Sequence, residues 1–174
     1  MCATARGVSF CVRRLRSRTS GFPTASRPLP APPLDAGTSA IEHRVNYSET
    51  DQMGFVYHAN YLIWLDMART EHLRQCGYTY RQLEEDGVFL AVTEARLRYR
   101  QPARYDDLVR IRCWVRDLAS RRVVFGYAVD RAGTDELLAT AETALVALNR
   151  AHALARIPEH VSDRLHAIPD PVRL

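Results

Sequence analysis

The residues with the clearest chemical potential lie in one short stretch, and they are Asp51, Gly54, Tyr57, His58, Asn60 and Tyr61. A carboxylate such as that of Asp51 can attack a carbonyl carbon or activate a water molecule. Unpaired backbone N–H groups at the start of a helix can stabilise negative charge that develops on a carbonyl oxygen. Gly54 permits a bend that brings Asp51 towards such a helix start. The spacing is therefore compatible with acyl-transfer chemistry.

The same spacing also has a simpler interpretation. Asp is common before helices as a turn or capping residue, and on spacing alone this interpretation of Asp51 is favoured. His58 can likewise cap a helix or bond locally without a catalytic part. From the spacing alone, the catalytic and the structural interpretation both stay open for Asp51 and for His58.

The helix that would present these N–H groups is predicted from about Tyr57 to Gly77. Apolar side chains recur there at steps of three or four, with no proline between them, and Gly77 is a suitable residue to end the helix. The stripe comprises Tyr61, Leu65, Ala68, His72 and Cys76, widened by Leu62, Trp64 and Leu73. Because apolar residues occupy most of the circumference, we expect this helix to be buried under a sheet.

Five segments predict strands, at residues 41–48, 89–101, 108–118, 122–130 and 136–150. In the third, alternation places Val109, Ile111, Cys113 and Val115 towards the core and Arg110, Arg112, Trp114 and Arg116 outwards. The second is expected to be exposed on one face. The fifth also suits a helix, but a strand there would close the sheet. The predicted fold is α+β, an antiparallel five-stranded sheet wrapped around one long central helix.

The rest of the chain is predicted to lie outside this domain of residues 41–150. Residues 1–40 are rich in Arg, Ser and Pro and are expected to be a disordered extension, with organelle targeting as the alternative. Residues 151–174 are expected to form an irregular tail. The sequence has no apolar run long enough for a membrane helix, and a cytoplasmic location is predicted.

Charge and motif content exclude several classes of function. The net charge of +4 comes from residues 1–40, while the remainder is near neutral, so we expect no nucleic-acid partner. The nucleophile elbow, the P-loop, the dinucleotide fingerprint and the H-E-x-x-H motif are missing from the sequence. The six His are dispersed. If the protein is an enzyme, we expect it to need no metal and no tightly bound cofactor.

The segment Y-S-E-T-D-Q-M-G-F-V-Y-H-A-N-Y-L, with its core D-x-x-G-x-V-Y-H-x-x-Y, resembles the motif of the hotdog-fold acyl-CoA thioesterases. It is similar in particular to the 4-hydroxybenzoyl-CoA thioesterases and the short-chain acyl-CoA thioesterases associated with the Tol–Pal system. The later segment R-Y-R-Q-P-A-R-Y-D-D resembles the strand and turn of the same family. The resemblance covers roughly residues 41–150.

The resemblance implies specific roles and partners. It implies that Asp51 is the catalytic carboxylate, as nucleophile or general base, and that the backbone N–H of His58 polarises the thioester carbonyl. We hypothesise that the His58 side chain orients Asp51 or the substrate. Tyr57 and Tyr61 would be pocket walls, and Arg121 and Arg122 would meet the phosphates of CoA, although they also suit a solvated pair. Each active site would form where two protomers pair, in a homodimer or homotetramer.

The function that follows is hydrolysis of an acyl-CoA thioester to a carboxylic acid and CoA. Two alternatives remain: a hotdog hydratase or dehydratase acting on acyl thioesters, and a non-enzymatic acyl-CoA-binding protein. The identity of the acyl group is not encoded in any pattern of the sequence. Glu71, a helix carboxylate, is predicted to have a surface or salt-bridge role.

Overall fold

The computed structural model describes residues 36–134 and 136–174. Their core is one antiparallel sheet in the order β1-β3-β4-β5-β2, formed by β1 (Thr38–Arg44), β2 (Phe89–Tyr99), β3 (Leu108–Ala119), β4 (Arg122–Arg131) and β5 (Leu137–Leu148). The helices are α1 (Asn60–Gln75), α2 (Tyr80–Glu85) and α3 (Glu159–Ser162). The predicted five-stranded antiparallel sheet around one long helix is confirmed. None of the described helices is long and apolar enough to cross a membrane.

Helix α1 packs against β1 and β3 through a buried face that contains Tyr61, Trp64, Leu65, Ala68 and Leu73. It ends as predicted at Gly77, which has a left-handed φ of 81°. The N–H of Tyr78 bonds to the Leu73 carbonyl at 3.2 Å and the N–H of Gly77 to that of Arg74 at 2.9 Å, which is a Schellman end.

The expectation that α1 lies under the sheet is confirmed, but part of its apolar surface is exposed. Leu62, Ile63 and Met67 are 43%, 59% and 42% exposed. All three side chains are apolar, and Leu62 also lines a groove between α1 and β2. An apolar helix face therefore stays uncovered in one protomer.

The inward residues of β3 are buried as predicted, but two of its outward residues are buried too. Trp114 is fully buried, and Arg110 is 8% exposed. The indole N–H of Trp114 donates to Asp170 at 3.0 Å, and the N–H of Ile168 donates to the Val115 carbonyl at 2.9 Å. The C-terminal segment thus covers part of the outer sheet face, a contact that the pattern of β3 alone does not contain.

The two edge strands also differ from expectation. β1 begins at Thr38 and ends at Arg44, so it starts inside the predicted extension and stops before residue 48. Residues 1–35 lie outside the described residues. β2 pairs with β5 along one edge, and most of its residues are exposed, including Ala95 and Tyr99, while residues 89–91 and Leu97 are half-buried. Its other edge has no partner among the described strands.

Candidate active site

A tight hairpin carries Asp51 immediately before α1. The N–H of Asp51 bonds to the Phe55 carbonyl at 2.8 Å, and the N–H of Gly54 bonds to the Asp51 carbonyl at 2.9 Å. Gly54 has a φ of 73°, which is the left-handed position that closes a three-residue hairpin. The predicted need for glycine at this bend is confirmed, because a side chain at that φ would be strained.

The Asp51 carboxylate is half-buried and only partly engaged. Its Oδ1 accepts a hydrogen bond from the Met53 N–H at 2.8 Å, which makes it a turn residue in the simpler sense. It does not cap α1, whose N-cap position is Ala59 and has no side-chain cap bond. Among the described residues, Oδ2 has no hydrogen-bond partner. One carboxylate oxygen is therefore available for chemistry.

The start of α1 presents unpaired backbone donors next to this hairpin. The N–H of Tyr57 donates to Glu49 at 2.8 Å and that of Asn60 donates to Tyr57 at 2.9 Å, but those of His58 and Ala59 have no acceptor within the described part of the chain. The Tyr99 hydroxyl donates to the His58 carbonyl at 3.0 Å. Because a trans peptide directs its C=O and N–H oppositely, this bond fixes the direction of the Ala59 N–H.

The His58 imidazole is exposed and lies against the Tyr57 ring, with ring centroids 4.4 Å apart. It makes no hydrogen bond to Asp51 or to any other described residue. Within one protomer, the hypothesis that this side chain orients Asp51 therefore has no contact to support it. The backbone of His58 is the better-placed part of the residue.

Glu49 organises the hairpin and was not singled out from the sequence. Its carboxylate accepts hydrogen bonds from His43 Nε2 at 2.9 Å, from Trp64 Nε1 at 2.8 Å and from the Asn46 N–H at 2.7 Å. Burial alone would raise the pKa of Glu49, but these bonds hold that pKa below its ordinary value of 4.5. The N-x-x-E spacing of Asn46 and Glu49 is a capping-box signal that could have identified it.

The backbone of Glu49 ties the hairpin to the helix. Its carbonyl accepts from the Tyr57 N–H at 2.8 Å and from Asn60 Nδ2 at 2.7 Å. The side chain of Glu49 reaches Trp64 in the second turn of α1. Its main-chain carbonyl binds Tyr57 and Asn60 at the start of the helix. Glu49 therefore sets the position of Asp51 relative to the free N–H groups.

Glu49→Gln is expected to lower the free energy of unfolding at pH 7 by about 1–3 kcal/mol, because a neutral amide accepts the same bonds less strongly. The folded-state pKa of Glu49 is depressed, so its stabilising contribution is complete above 4.5 and is lost as the pH falls through the folded value. Urea denaturation across this range should show the gap between wild type and variant closing in acid. A gap that stays constant would contradict the argument. The matched control is Glu84→Gln, at an exposed position on α2.

Two predicted pocket walls have different surroundings. Tyr57 is 48% exposed and lies at the mouth of the site. Tyr61 is 3% exposed, and its hydroxyl accepts from the Ala103 N–H at 3.2 Å, while the Val56 N–H donates to the Ala103 carbonyl at 2.9 Å. Tyr61 is therefore a core residue in one protomer and holds the two loops together, and its role as a pocket wall stays a prediction.

Arg121 in the turn between β3 and β4 and Arg122 at the start of β4 are both exposed, and Arg122 bonds to Asp117 at 3.2 Å. The Asp51 hairpin is anchored at Ala103, before the opposite end of β3. That strand has 12 residues, so roughly 35 Å separates its ends. One protomer therefore does not bring the arginine pair to Asp51.

Two further predictions concern groups outside the hairpin. Glu71 pairs with Arg74 on the surface of α1, which confirms its predicted salt-bridge role. Across the described ranges, no group of three or more His, Cys, Asp or Glu side chains is placed to hold a metal ion.

Comparison with known proteins gives matches over most of the described chain. The model of the thioesterase-like superfamily matches residues 45–165. The putative acyl-CoA thioesterase YneP of Bacillus subtilis is 37% identical over 52% of this chain and 66% of its own length, which is just under two thirds. The acyl-CoA thioesterase YbgC of Haemophilus influenzae is 33% identical over 76% of this chain and 97% of its own.

A solved structure agrees with the fold. The hypothetical protein TT1821 from Thermus thermophilus superposes with a TM-score of 0.70 at 38% identity, covering 73% of this chain and 96% of its own. With the sheet order and the central helix described above, this confirms the hotdog fold that the sequence resemblance implied.

Proposed function

Because this chain belongs to the thioesterase-like superfamily, we propose that it is an acyl-CoA thioesterase whose reaction occurs between Asp51 and the start of α1. The single observation that carries the proposal is the juxtaposition, in one short segment, of a half-engaged carboxylate with two unpaired backbone N–H groups. Thioester hydrolysis requires both a group that attacks the carbonyl carbon or activates water and donors for the oxyanion.

The steps follow from these two groups. The thioester carbonyl oxygen accepts a hydrogen bond from the His58 N–H, which stabilises the negative charge that grows there. Asp51 either attacks the carbonyl carbon or takes a proton from a water that attacks it. The C–S bond then breaks, and CoA leaves as a thiolate that is protonated. On the general-base route the attacking water supplies the new oxygen, and the acyl group is released directly as a carboxylic acid. On the nucleophile route the acyl group is first joined to Asp51 as a mixed anhydride, which a water then hydrolyses to the carboxylic acid and free Asp51. The structure is compatible with Asp51 as either nucleophile or base.

We also propose that the site is completed by a second copy of the chain, in a homodimer or a homotetramer. Asp51, Tyr57 and His58 are open to solvent in one protomer, whereas an oxyanion hole works best where water is excluded. The unpaired edge of β2 and the exposed apolar face of α1 are surfaces that pairing would cover.

The proposed assembly determines which protomer would supply each predicted substrate contact. Tyr57, at the mouth of the site, would contact the acyl-CoA directly. Arg121 and Arg122 could bind CoA phosphates only at the site of another protomer, because they lie at the far end of β3 from their own Asp51. Cytoplasmic location stays a prediction.

The experiment that tests this function is release of free thiol from a panel of acyl-CoA esters, followed with a thiol-reactive dye. We expect at least one ester class to be cleaved with multiple turnovers and without added metal. Loss of enoyl absorbance without thiol release would favour a hydratase. Binding of the esters without any turnover would favour a binding protein.

A further inference from the structure

A largely apolar groove runs along α1 from a point close to the proposed site. Leu62, Leu65, Asp66 and Arg69 line it from the helix, at the spacing that places residues on one face. Val92 and Ala95 of β2 line the opposite wall, and the groove encloses about 260 Å³. An acyl group that enters at the start of α1 would pass Leu62 first and then run along the helix.

Arg69 is the unusual residue of this groove. It is 7% exposed, yet its Nε and Nη1 atoms have no hydrogen-bond partner among the described residues. Only Nη2 is engaged, by Asp66, and the guanidinium carbon lies 5.2 Å from the centre of the Tyr80 ring. A buried guanidinium is all donor, so leaving part of it unpaired is unfavourable. Two unpaired guanidinium donors therefore belong to a residue that lines the groove, and an acceptor for them is missing among the described residues.

Distance places this acceptor beyond the reacting carbonyl. Arg69 follows Asn60 by nine positions, so its backbone lies about 13 Å further along the helix axis. Helical side chains lean towards the N-terminus, so the guanidinium lies nearer to the site than its backbone. A group that meets it must be at the distal part of a bound acyl chain, past the apolar walls.

We propose that Arg69 is a specificity-determining residue that binds an acceptor oxygen carried by the distal part of the substrate's acyl group. The inference rests on the proposed thioesterase function and names its substrate class: acyl-CoA esters that have a hydroxyl, carbonyl or carboxylate oxygen away from the thioester. Leu62, Leu65 and Val92 contact the hydrocarbon portion. A purely saturated acyl group would leave the Arg69 donors unpaired and is discriminated against.

The test compares matched pairs of medium-chain acyl-CoA esters, saturated against ω-hydroxy and ω-carboxy of equal length. We expect wild type to prefer an oxygenated ester in kcat/KM by roughly 10- to 100-fold, the range for a hydrogen bond to a charged group. Comparison of the ω-hydroxy ester with the ω-carboxy ester identifies which type of oxygen Arg69 binds. Arg69→Met should remove this preference and leave the saturated ester within about threefold of wild type. Arg74→Met, at an exposed position on the same helix, is the control and should change neither ester.

Two measurements keep the outcomes separate. Arg69→Lys, which retains the charge, should recover part of the preference if Met disturbs packing. Sedimentation shows whether Arg69→Met alters self-association. An unchanged preference in Arg69→Met would overturn the proposal, whether or not self-association is weaker. The acceptor for Arg69 would then be supplied by a second copy of the chain and not by the substrate. An equal loss on both esters would also overturn it.

Failure of the proposed thioesterase function can be distinguished from failure of the Arg69 inference. If wild type releases no thiol from any ester, the thioesterase proposal fails, and the Arg69 inference is judged by equilibrium binding. Asp51→Asn should then bind the oxygenated ester more tightly than the saturated one, and Asp51→Asn with Arg69→Met should bind the two equally. Equal binding already in Asp51→Asn would overturn the inference itself.

Discussion

Asp51→Asn is expected to lower kcat for thioester hydrolysis by about 10²–10⁴-fold while leaving the fold intact. The amide oxygen of Asn can still accept the Met53 N–H, so the hairpin keeps its hydrogen bond. What is lost is the negative charge and the second oxygen, which attack or proton abstraction requires. Substrate affinity should change little, so the defect belongs in kcat and not in KM.

The measurement is steady-state thiol release, with thermal unfolding recorded on the same preparations. Asp163→Asn is a matched control at an exposed carboxylate of the C-terminal segment, and it should retain wild-type turnover. Wild-type turnover in folded Asp51→Asn would remove Asp51 from the chemistry. A fall that tracks a loss of folded protein would assign Asp51 only the turn role.

His58→Pro is expected to lower kcat by about 10²–10³-fold, the usual effect of losing one oxyanion donor. Proline has no N–H, and among the described residues the N–H of His58 has no acceptor, so no internal hydrogen bond is lost with it. His58→Ala removes the imidazole and keeps the donor. Because the imidazole is exposed and has no hydrogen bond among the described residues, we expect His58→Ala to stay within a few-fold of wild type.

The pair of variants separates backbone from side chain at one position. Equal losses in both would assign the role to the imidazole, and equal retention would remove the His58 N–H from the oxyanion hole. Circular dichroism and unfolding curves must show that the proline variant keeps α1, since proline also restricts Tyr57 before it.

The local sequence pattern predicted correctly those strands in which the burial of a residue is set by its position along the strand. In β3, Val109, Ile111 and Cys113 are buried as period-two alternation indicates, and α1 packs against this strand. α1 was recognised from its apolar steps and from Gly77. The hotdog fold and the thioesterase family were recognisable because one compact segment before the helix has a specific motif.

The errors arose where burial depends on a distant segment. Trp114 occupies an outward position in β3, and it is buried because Asp170 and Ile168 lie over it. Arg69 was not singled out from the sequence, and its burial depends on Tyr80 of α2 and on the groove wall formed by β2. The bond between the Ala103 N–H and the Tyr61 hydroxyl was likewise not predictable from the spacing of Tyr61. Such contacts join segments that are distant in the sequence, and the periodic pattern within one segment does not predict them.

The most direct test of the account is a crystal structure of Asp51→Asn with an uncleaved acyl-CoA bound. We expect the thioester oxygen to lie about 3 Å from the His58 N–H. We also expect the side chain of residue 51 to lie within hydrogen-bonding reach of the thioester carbon or of a water beside it. A thioester held away from the start of α1, with residue 51 turned from it in every subunit, would contradict the account.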